Sequence, residues 1–256
     1  MLFLYSLLLG CNPPVKAPED LEQLTTYIFE HMMAEDQRYV TAGMENLNTW
    51  LNANFEEAKN GYQVNNLTIE AVESLGIEVP EGLDDQIGVA VSYKMSYSID
   101  KVVPALIEAD PMEVSPGSYV SFSEERITEL ECFLEQTCDS FEAYHDSINA
   151  LPLGIEIHTV THNQYHWVPL EEEYAMVQRS WLTEKPTSNI SWAELLAQFY
   201  FAATLPTENG TIRLASGWSL LRLGDIPIPE DLALSMAIDS LSNTGTNIEN
   251  YLAAEN

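Results

Sequence analysis

The chain has 256 residues, 46% of them hydrophobic, and its 40 Asp and Glu outnumber its 10 Lys and Arg. This composition excludes wholesale disorder and leaves ample apolar material for a sizeable core. The net charge of −30 repels phosphate backbones, so nucleic acid is excluded as a partner. No loop of the EF-hand type gathers the carboxylates, which favours a solvated acidic surface over a divalent-cation site or an acidic docking face.

The amino terminus carries a short apolar run that ends at a cysteine. Leu2 to Leu9 is almost wholly apolar, and Gly10 and Cys11 follow. About 20 residues are needed to cross a bilayer, so residues 1–11 fit a signal peptide rather than a membrane span. The run resembles the lipobox of bacterial lipoproteins, which implies that Cys11 is lipidated, for example with palmitate. Two features depart from that pattern, because no Lys or Arg precedes the run and Leu9 stands where a small residue is usual. The alternative is a buried amino-terminal segment with an incidental cysteine.

Residues 12–18, Asn-Pro-Pro-Val-Lys-Ala-Pro, are rich in proline and are expected to form a semi-rigid tether. Asn12 rather than Asp follows the cysteine, which by analogy favours the outer membrane. We therefore expect a protein of the bacterial cell envelope that is held at the outer membrane by its lipid-bearing amino terminus.

Residues 19–87 are predicted to form a helical appendage. Pro18–Glu35 and Asp36–Lys59 each repeat apolar residues at helical spacing, which is typical of an αα-hairpin. A short helix is expected near residues 68–75. The turn-rich segment 76–88 then marks the boundary with a main domain, residues 88–256.

The main domain begins with strand-like alternation. Apolar residues alternate with small or polar ones from residue 89 to residue 98, which predicts a half-buried strand. A short helix is expected at residues 100–109, a loop at 112–117, and strands at 118–123, 154–168 and 174–182. Residues 124–148 fit strands or a helix, and we favour strands.

The last third of the chain is the most regular. Apolar runs at residues 198–205 and 211–223 flank Asn209-Gly210, which predicts a tight hairpin turn with positive φ at both residues. The capping-box pattern of residues 191–194 would instead begin a helix there. A single apolar stripe follows, which predicts a long terminal helix. Its members are Leu234, Ile238, Leu241, Gly245, Ile248 and Leu252.

This order of elements resembles the START-like superfamily, which is also called Bet v 1-like or polyketide-cyclase-like. The paired runs 198–205 and 211–223, Gly217-Trp218 late in the last strand and the helix ending at residues 247–252 carry the resemblance, over about two-thirds of the chain. It implies an α+β helix-grip fold, in which a curved antiparallel sheet grips the C-terminal helix and leaves a hydrophobic cavity between them. The appendage of residues 19–87 has no counterpart in that family.

The cavity that the resemblance implies would be lined by aromatic side chains, although aromatic residues on strands also form plain core. Two arginines on predicted strands are candidates for the polar head of a ligand, with a surface salt bridge as the alternative. A glycine on the terminal helix would widen the cavity or mark a close helix–sheet contact. The candidate residues are Tyr93, Tyr97, Trp167, Arg179, Trp181, Phe199, Phe201, Arg213, Trp218 and Gly245.

Cys132 and Cys138 are the remaining cysteines, an even number suited to an oxidising compartment. In a helix, residues six apart lie on different faces and cannot be bonded. If the intervening segment is a loop, a disulfide would stabilise it by roughly 2–3 kcal/mol. The spacing is not C-x-x-C, so a catalytic or metal-binding pair is disfavoured.

Three histidines, His158, His162 and His166, are spaced four apart on one predicted strand and share a face. Four strand residues span about 13 Å, whereas the ligands of one zinc ion lie within about 4 Å of each other. A row of solvated or cavity-lining histidines is therefore preferred to a metal site. We expect no metal and no cofactor.

The motifs G-x-S-x-G, H-E-x-x-H and the P-loop do not occur, so no catalytic residue is assigned. The sequence favours a lipid-anchored envelope protein that binds a hydrophobic small molecule or lipid between sheet and helix. The alternative is a structural or interaction lipoprotein with a solid core, whose acidic face docks an envelope protein. A hydrolase or cyclase that uses His158 or His162 with a carboxylate is the least favoured hypothesis.

Overall fold

The computed structural model describes residues 14–151, 154–171, 173–223 and 230–255. Cys11 and most of the predicted tether lie outside these residues. The helices are α1 (Leu21–His31), α2 (Arg38–Lys59), α3 (Ile69–Glu73), α4 (Ile99–Ile107), α5 (Pro111–Val114), α6 (Leu130–Leu134) and α7 (Glu230–Ala254). The strands are β1 (Tyr62–Gln63), β2 (Ile87–Met95), β3 (Tyr119–Arg126), β4 (Ser140–Leu151), β5 (Ile155–Pro169), β6 (Tyr174–Leu182), β7 (Thr187–Ser188), β8 (Ala193–Thr207) and β9 (Gly210–Leu223). None of the described helices is both long and apolar enough to cross a membrane.

The described strands form one antiparallel sheet in the order β1-β2-β9-β8-β6-β5-β4-β3, and β7 pairs with β5. From β2 onward the chain runs through one strand, the short helices α4 and α5, six long antiparallel strands with α6 and the short β7 between them, and a long C-terminal helix. The helix α7 lies across β2 and contacts α4 and α5. This arrangement is the predicted α+β helix-grip fold.

The sheet is strongly curved. The helix α7 packs into its hollow, where Leu234, Ala237, Ile238 and Leu241 share a cluster with Val89, Val91, Tyr93, Tyr200, Ala202 and Ala215 of the sheet. The face that carries Tyr93, Tyr200 and Arg213 is therefore the concave face, and α7 packs on it.

The opposite, convex face carries Phe199, Phe201 and Trp218 and is covered by α1 and α2. These two helices bury their apolar sides against it, as amphipathic helices must. The buried residues that α1 and α2 contribute to this layer are Leu21, Leu24, Ile28, Phe29, Val40, Met44, Leu47, Leu51 and Ala58. The αα-hairpin predicted for residues 19–87 thus shares one core with the sheet.

The terminal helix follows the predicted stripe. Leu241, Ile248 and Leu252 are buried, while Leu234 and Ile238 are half-buried against the sheet. Gly245 is buried where the Tyr93 ring crosses the helix, and a Cβ at this position would lie 2.5 Å from Tyr93 Cδ2. The glycine therefore permits a close helix–sheet contact, and the ring fills the space that a wider cavity would need.

The β8–β9 hairpin forms as predicted, but its turn is shifted by one residue. Thr207 pairs with Gly210, so Glu208 and Asn209 are the two turn residues. Only Gly210 has a positive φ, of 140°, and a Cβ there would collide with the backbone oxygen of Met95. The prediction of positive φ at both Asn209 and Gly210 is wrong, because close approach of β2 decides the glycine position.

Strands were favoured over a helix for residues 124–148, and about half of these residues are strand, namely 124–126 in β3 and 140–148 in β4. The short helix α6 interrupts them, and α5 replaces the loop predicted at residues 112–117. Cys132 lies in α6 and Cys138 in the turn after it, and the two are joined by a disulfide with a Cα–Cα distance of 5.3 Å. The chain leaves the helix between them, at Gln136 with φ 57°, and so brings the two sulfur atoms together.

We predict that Gly245→Ala destabilises the fold by about 1–3 kcal/mol, because the added methyl group overpacks against the Tyr93 ring. Asn243→Ala is the control, since it lies on the exposed side of the same helix and should be neutral or slightly stabilising. Urea unfolding of both variants measures the difference. An unchanged midpoint for Gly245→Ala would contradict the tight contact.

Candidate functional site

The ten predicted cavity residues do not line a common cavity, because the strands place them on two faces of the sheet. Side chains alternate along each strand, and both faces of β6, β8 and β9 are buried. The concave side holds Tyr93, Tyr97, Trp167, Arg213 and Gly245. The convex face holds Arg179, Trp181, Phe199, Phe201 and Trp218.

On the convex face the aromatic residues are core under the appendage. Trp218 is fully buried, donates its indole N–H to the Asn65 carbonyl oxygen at 2.8 Å and packs edge-on against Phe29 at 5.7 Å. The pairing of Gly88 with Trp218 leaves room for this ring, since a Cβ on Gly88 would lie 2.7 Å from the indole. These contacts fasten residues 19–87 to the sheet, and the Trp218 ring fills the space around Phe29 and Gly88.

Arg179 is also part of that docking. Its Nη1 donates to the Phe29 carbonyl oxygen at 2.8 Å, in the last turn of α1, and its Nε donates to Gln164 at 2.8 Å. A cation is favoured at the carboxyl end of a helix, where backbone carbonyls lack partners. Burial lowers the pKa of Arg179 to about 10, and Glu142 opposes part of that shift. The role of Arg179 is therefore to hold α1 rather than to meet a ligand.

On the concave side, one end of the interior is solid. Trp167 stacks on Phe133 at 5.3 Å and donates its indole N–H to the Phe133 carbonyl oxygen at 2.8 Å. Phe141, Tyr165 and Met176 complete this cluster beneath α4 and α6. Trp167 is thus core, and so is Tyr97, which packs with the carboxyl-terminal turns of α7.

The centre of the concave face holds a buried cation. Arg213 is 1% exposed, donates from Nη2 to Gln178 Oε1 at 2.7 Å and to the Tyr200 hydroxyl at 3.3 Å, and donates from Nη1 to Thr204 Oγ1. All three acceptors are neutral oxygens. No ion pair within the described part of the chain includes Arg213.

Two polar groups in this centre lack partners among the described residues. The Arg213 Nε–H and the Tyr93 hydroxyl are both buried without a well-formed hydrogen bond, and the guanidinium and the hydroxyl lie beside each other. Burial raises the pKa of the Tyr93 hydroxyl, and the neighbouring Arg213 opposes part of this rise. An unpaired buried charge costs several kcal/mol, so a centre of this kind is unusual for a region that serves only as core.

Next to this centre the concave face is lined by small side chains. Among the described residues, a Cβ on Gly217 would meet only the Phe199 backbone oxygen, at 3.9 Å, so no described side chain lies within 4 Å of that position. Ser180 and Tyr200, which lie across from it on β6 and β8, are only half-buried. The concave face is therefore closed at the level of Gly245 and more open towards Gly217.

Two clefts lie away from the concave centre, and both have volumes in the range of ligand pockets. One, of about 500 Å³, lies between residues 77–81, the end of β6 and the start of β8, with four glutamates among its lining residues. The other, of about 590 Å³, is lined by Tyr144, Asp146, His158 and neighbouring residues on the convex face. Neither cleft contains a buried cation.

The three histidines on β5 share the convex face, as predicted. Each makes a side-chain hydrogen bond to a neighbouring element, and no group of three or more metal-binding side chains occurs within the described ranges. The pairs are His158–Asp146 at 2.7 Å, His162–Glu142 at 2.9 Å and His166–Gln37 at 2.6 Å. The histidine–carboxylate pairs of the enzyme hypothesis therefore lie on the face opposite to the sheet–helix interior.

Sequence reasoning missed four residues of the concave centre, namely Gln178, Tyr200, Thr204 and Tyr165. Tyr165 is linked to Arg213 through Gln178, whose Nε2 donates a hydrogen bond to the Tyr165 hydroxyl at 3.3 Å. In the sequence these residues are visible as polar side chains at inward positions of otherwise apolar strands. Only the pairing register of β6, β8 and β9 shows that they come together.

Comparisons with known proteins name no family. No family model matches the chain, and no curated protein matches it. Among solved structures, a START superfamily protein from Mycobacterium smegmatis is 10% identical, with a TM-score of 0.40, over 66% of this chain and 99% of that one. A STAR-related lipid transfer protein from Xanthomonas axonopodis is 14% identical, with a TM-score of 0.42, over 66% of this chain and 85% of that one. The lipid transfer and protein localization domain of human StarD13 is 10% identical, with a TM-score of 0.40, over 80% of this chain and 95% of that one. The helix-grip description rests on the strand order and terminal helix of this chain itself.

We predict that the fold loses stability in mild acid through His162 and His166. Burial lowers the pKa of both below the ordinary value, against the opposing carboxylates of Glu142 and Asp139. A histidine with a lowered folded-state pKa stabilises the fold fully above about pH 6.5 and loses that contribution as the pH falls.

The measurement is the free energy of unfolding in urea at pH 7.5 and pH 5.5. The double variant His162→Gln/His166→Gln should lose less stability over this range than the wild type. His158→Gln, at an exposed histidine, is the control and should behave as the wild type. Equal losses in the double variant and the wild type would contradict the assignment.

Proposed function

We propose that this protein binds a hydrophobic small molecule or a lipid between the concave face and α7. The observation that carries the proposal is the concave centre, where Arg213 and Tyr93 are buried without a full set of hydrogen bonds, on the same face as Gly217, whose Cβ position has no described side chain within 4 Å. Ligand sites of this kind combine apolar walls with a few convergent polar groups. Val89, Val91 and Leu241 supply apolar walls beside that position.

A structural or interaction role is the second candidate. The cluster of Phe133, Phe141, Tyr165 and Trp167 makes one end of the interior solid, as expected of a protein whose inside is only core. A net charge of −30 would suit docking to a basic partner of the envelope. The binding experiment separates the two, because a scaffold takes up no apolar probe.

We predict that the full chain carrying Cys11→Ser, and hence no lipid, binds the neutral apolar fluorophore N-phenyl-1-naphthylamine. Gly217→Leu should weaken this binding at least about tenfold, because the leucine side chain occupies the free space. Its thermal unfolding should stay close to that of the parent, since no described side chain lies within 4 Å of the added Cβ.

The matched control is Leu182→Gln, which alters the cleft of about 500 Å³ and should leave binding unchanged. Loss of binding in Leu182→Gln with full binding in Gly217→Leu would move the ligand site to that cleft. No binding by the parent would favour the structural role.

We also propose that the protein is anchored by lipid on Cys11 in the bacterial envelope, at the outer membrane. The lipobox-like residues 8–11 support this proposal. The Cys132–Cys138 disulfide agrees with an oxidising compartment. Asn46 donates to the Pro18 carbonyl oxygen at 2.8 Å, so the chain leaves the fold from a fixed point on α2 and the lipid would sit at the far end of residues 12–18.

The test compares the full chain with its Cys11→Ser variant in the bacterium that produces it. The parent should partition into detergent and gain the mass of acyl chains, whereas the variant should remain in the aqueous phase. A parent chain without added mass would contradict the anchor.

A further inference from the structure

A purely apolar ligand would leave the polar groups around Arg213 without partners. Its guanidinium is buried on the concave face, its described partners are the neutral oxygens of Thr204, Gln178 and Tyr200, and its Nε–H has no acceptor. The hydroxyl of Tyr93 lies beside it and can only accept from the guanidinium, so the Tyr93 O–H also has no acceptor among the described residues. A ligand that fits this centre must supply a negative charge and a hydrogen-bond acceptor.

The charged residues around Arg213 favour a ligand that carries a single negative charge. Arg126 is paired with Glu124, and Lys94 lies over the Phe55 ring on the other side of the sheet. Arg179 is committed to α1 on the convex face. A carboxylate, with one negative charge, matches the one cation of the concave centre, whereas a phosphate monoester carries nearly two.

The side chains next to Arg213 on the concave face are small and apolar, which suits contact with an alkyl chain. From Arg213, every second residue of β9 faces the concave side, and the next two are Ala215 and Gly217. On β8 the neighbouring inward residue is Ala202, which is fully buried with Ala215 in one cluster with Leu241. Because Ala202 and Ala215 are fully buried under Leu241, an alkyl chain that starts at Arg213 would replace α7 contacts over these small side chains and run on towards Gly217.

We propose that the ligand is an apolar carboxylic acid whose carboxylate accepts hydrogen bonds from Arg213 Nε and the Tyr93 hydroxyl, and whose apolar part lies over Ala215 and Gly217. This inference rests on the proposed binding function and narrows its ligand class. A carboxylate paired with a guanidinium is the charge-assisted contact that satisfies both unpartnered donors at once.

The experiment measures displacement of N-phenyl-1-naphthylamine from the full chain carrying Cys11→Ser. The competitors are decanoate, methyl decanoate and decyl phosphate, which share a chain length and differ in the charge of the head. Decanoate should displace the fluorophore at a concentration at least about tenfold lower than methyl decanoate. It should also be more effective than decyl phosphate.

Variants then show which residues produce the preference for the acid over the ester. Arg213→Gln should reduce the preference for acid over ester to about threefold or less, and Tyr93→Phe should reduce it in part. Arg222→Gln is the charge-matched control, because Arg222 is an exposed arginine of the same strand and its loss should not alter the preference. If Arg213→Gln fails to fold, the comparison of acid and ester in the parent still decides.

The outcomes separate this inference from the function on which it rests. Equal displacement by acid and ester, with the fluorophore bound, overturns the carboxylate and leaves apolar binding intact. Stronger displacement by decyl phosphate also overturns it and points to a lipid phosphate instead. A parent that binds no fluorophore overturns both proposals.

Discussion

Strands β8 and β9 bury side chains on both of their faces, and the rest of the chain is arranged around that constraint. Phe199, Phe201 and Trp218 point to the convex face, while Ala202 and Arg213 point to the concave one. A sheet with two apolar faces needs a cover on each side, since exposed apolar area of this size is unfavourable in water. The helices α1 and α2 cover one face, and α4, α5 and α7 cover the other. The appendage is thus the second half of the core.

Each face of the sheet buries an arginine, and the two arginines differ in their partners. This difference distinguishes the structural arginine from the one in the proposed site. On the convex face, Arg179 donates to the last turn of α1 and to Gln164, so its charge is met by oriented carbonyl and amide dipoles. On the concave face, Arg213 meets only three neutral side-chain oxygens, and Nε has no acceptor among the described residues. The first arrangement is complete without a ligand. The second is complete only when something else supplies an acceptor, which is why the proposed site lies under α7.

Patterns of spacing predicted the elements well, and the faces less well. The helix-grip order, α1 and α2, the β8–β9 hairpin and the buried stripe of α7 all follow from periods of two and 3.6 residues. The same period of two does not tell which face of β9 meets α7, because both faces of this strand are buried. Trp218 points towards α1 and α2, and Arg213 points towards α7. The short helices α5 and α6 were missed because a single turn carries no period. For Gly245 the sequence left a wider cavity and a close helix–sheet contact as alternatives, and the position of the Tyr93 ring decides for the contact.

The most direct test of this two-faced account is photoaffinity labelling with a decanoic acid that bears a diazirine on its alkyl chain, followed by peptide mapping. The full chain carrying Cys11→Ser would be labelled and digested, and the modified residues identified by mass spectrometry. The account predicts label on the concave side, at residues 200–202, residues 213–217 and the facing part of α7. Label confined to residues 77–81 and 182–185, which line the cleft of about 500 Å³ beside the appendage, would contradict it.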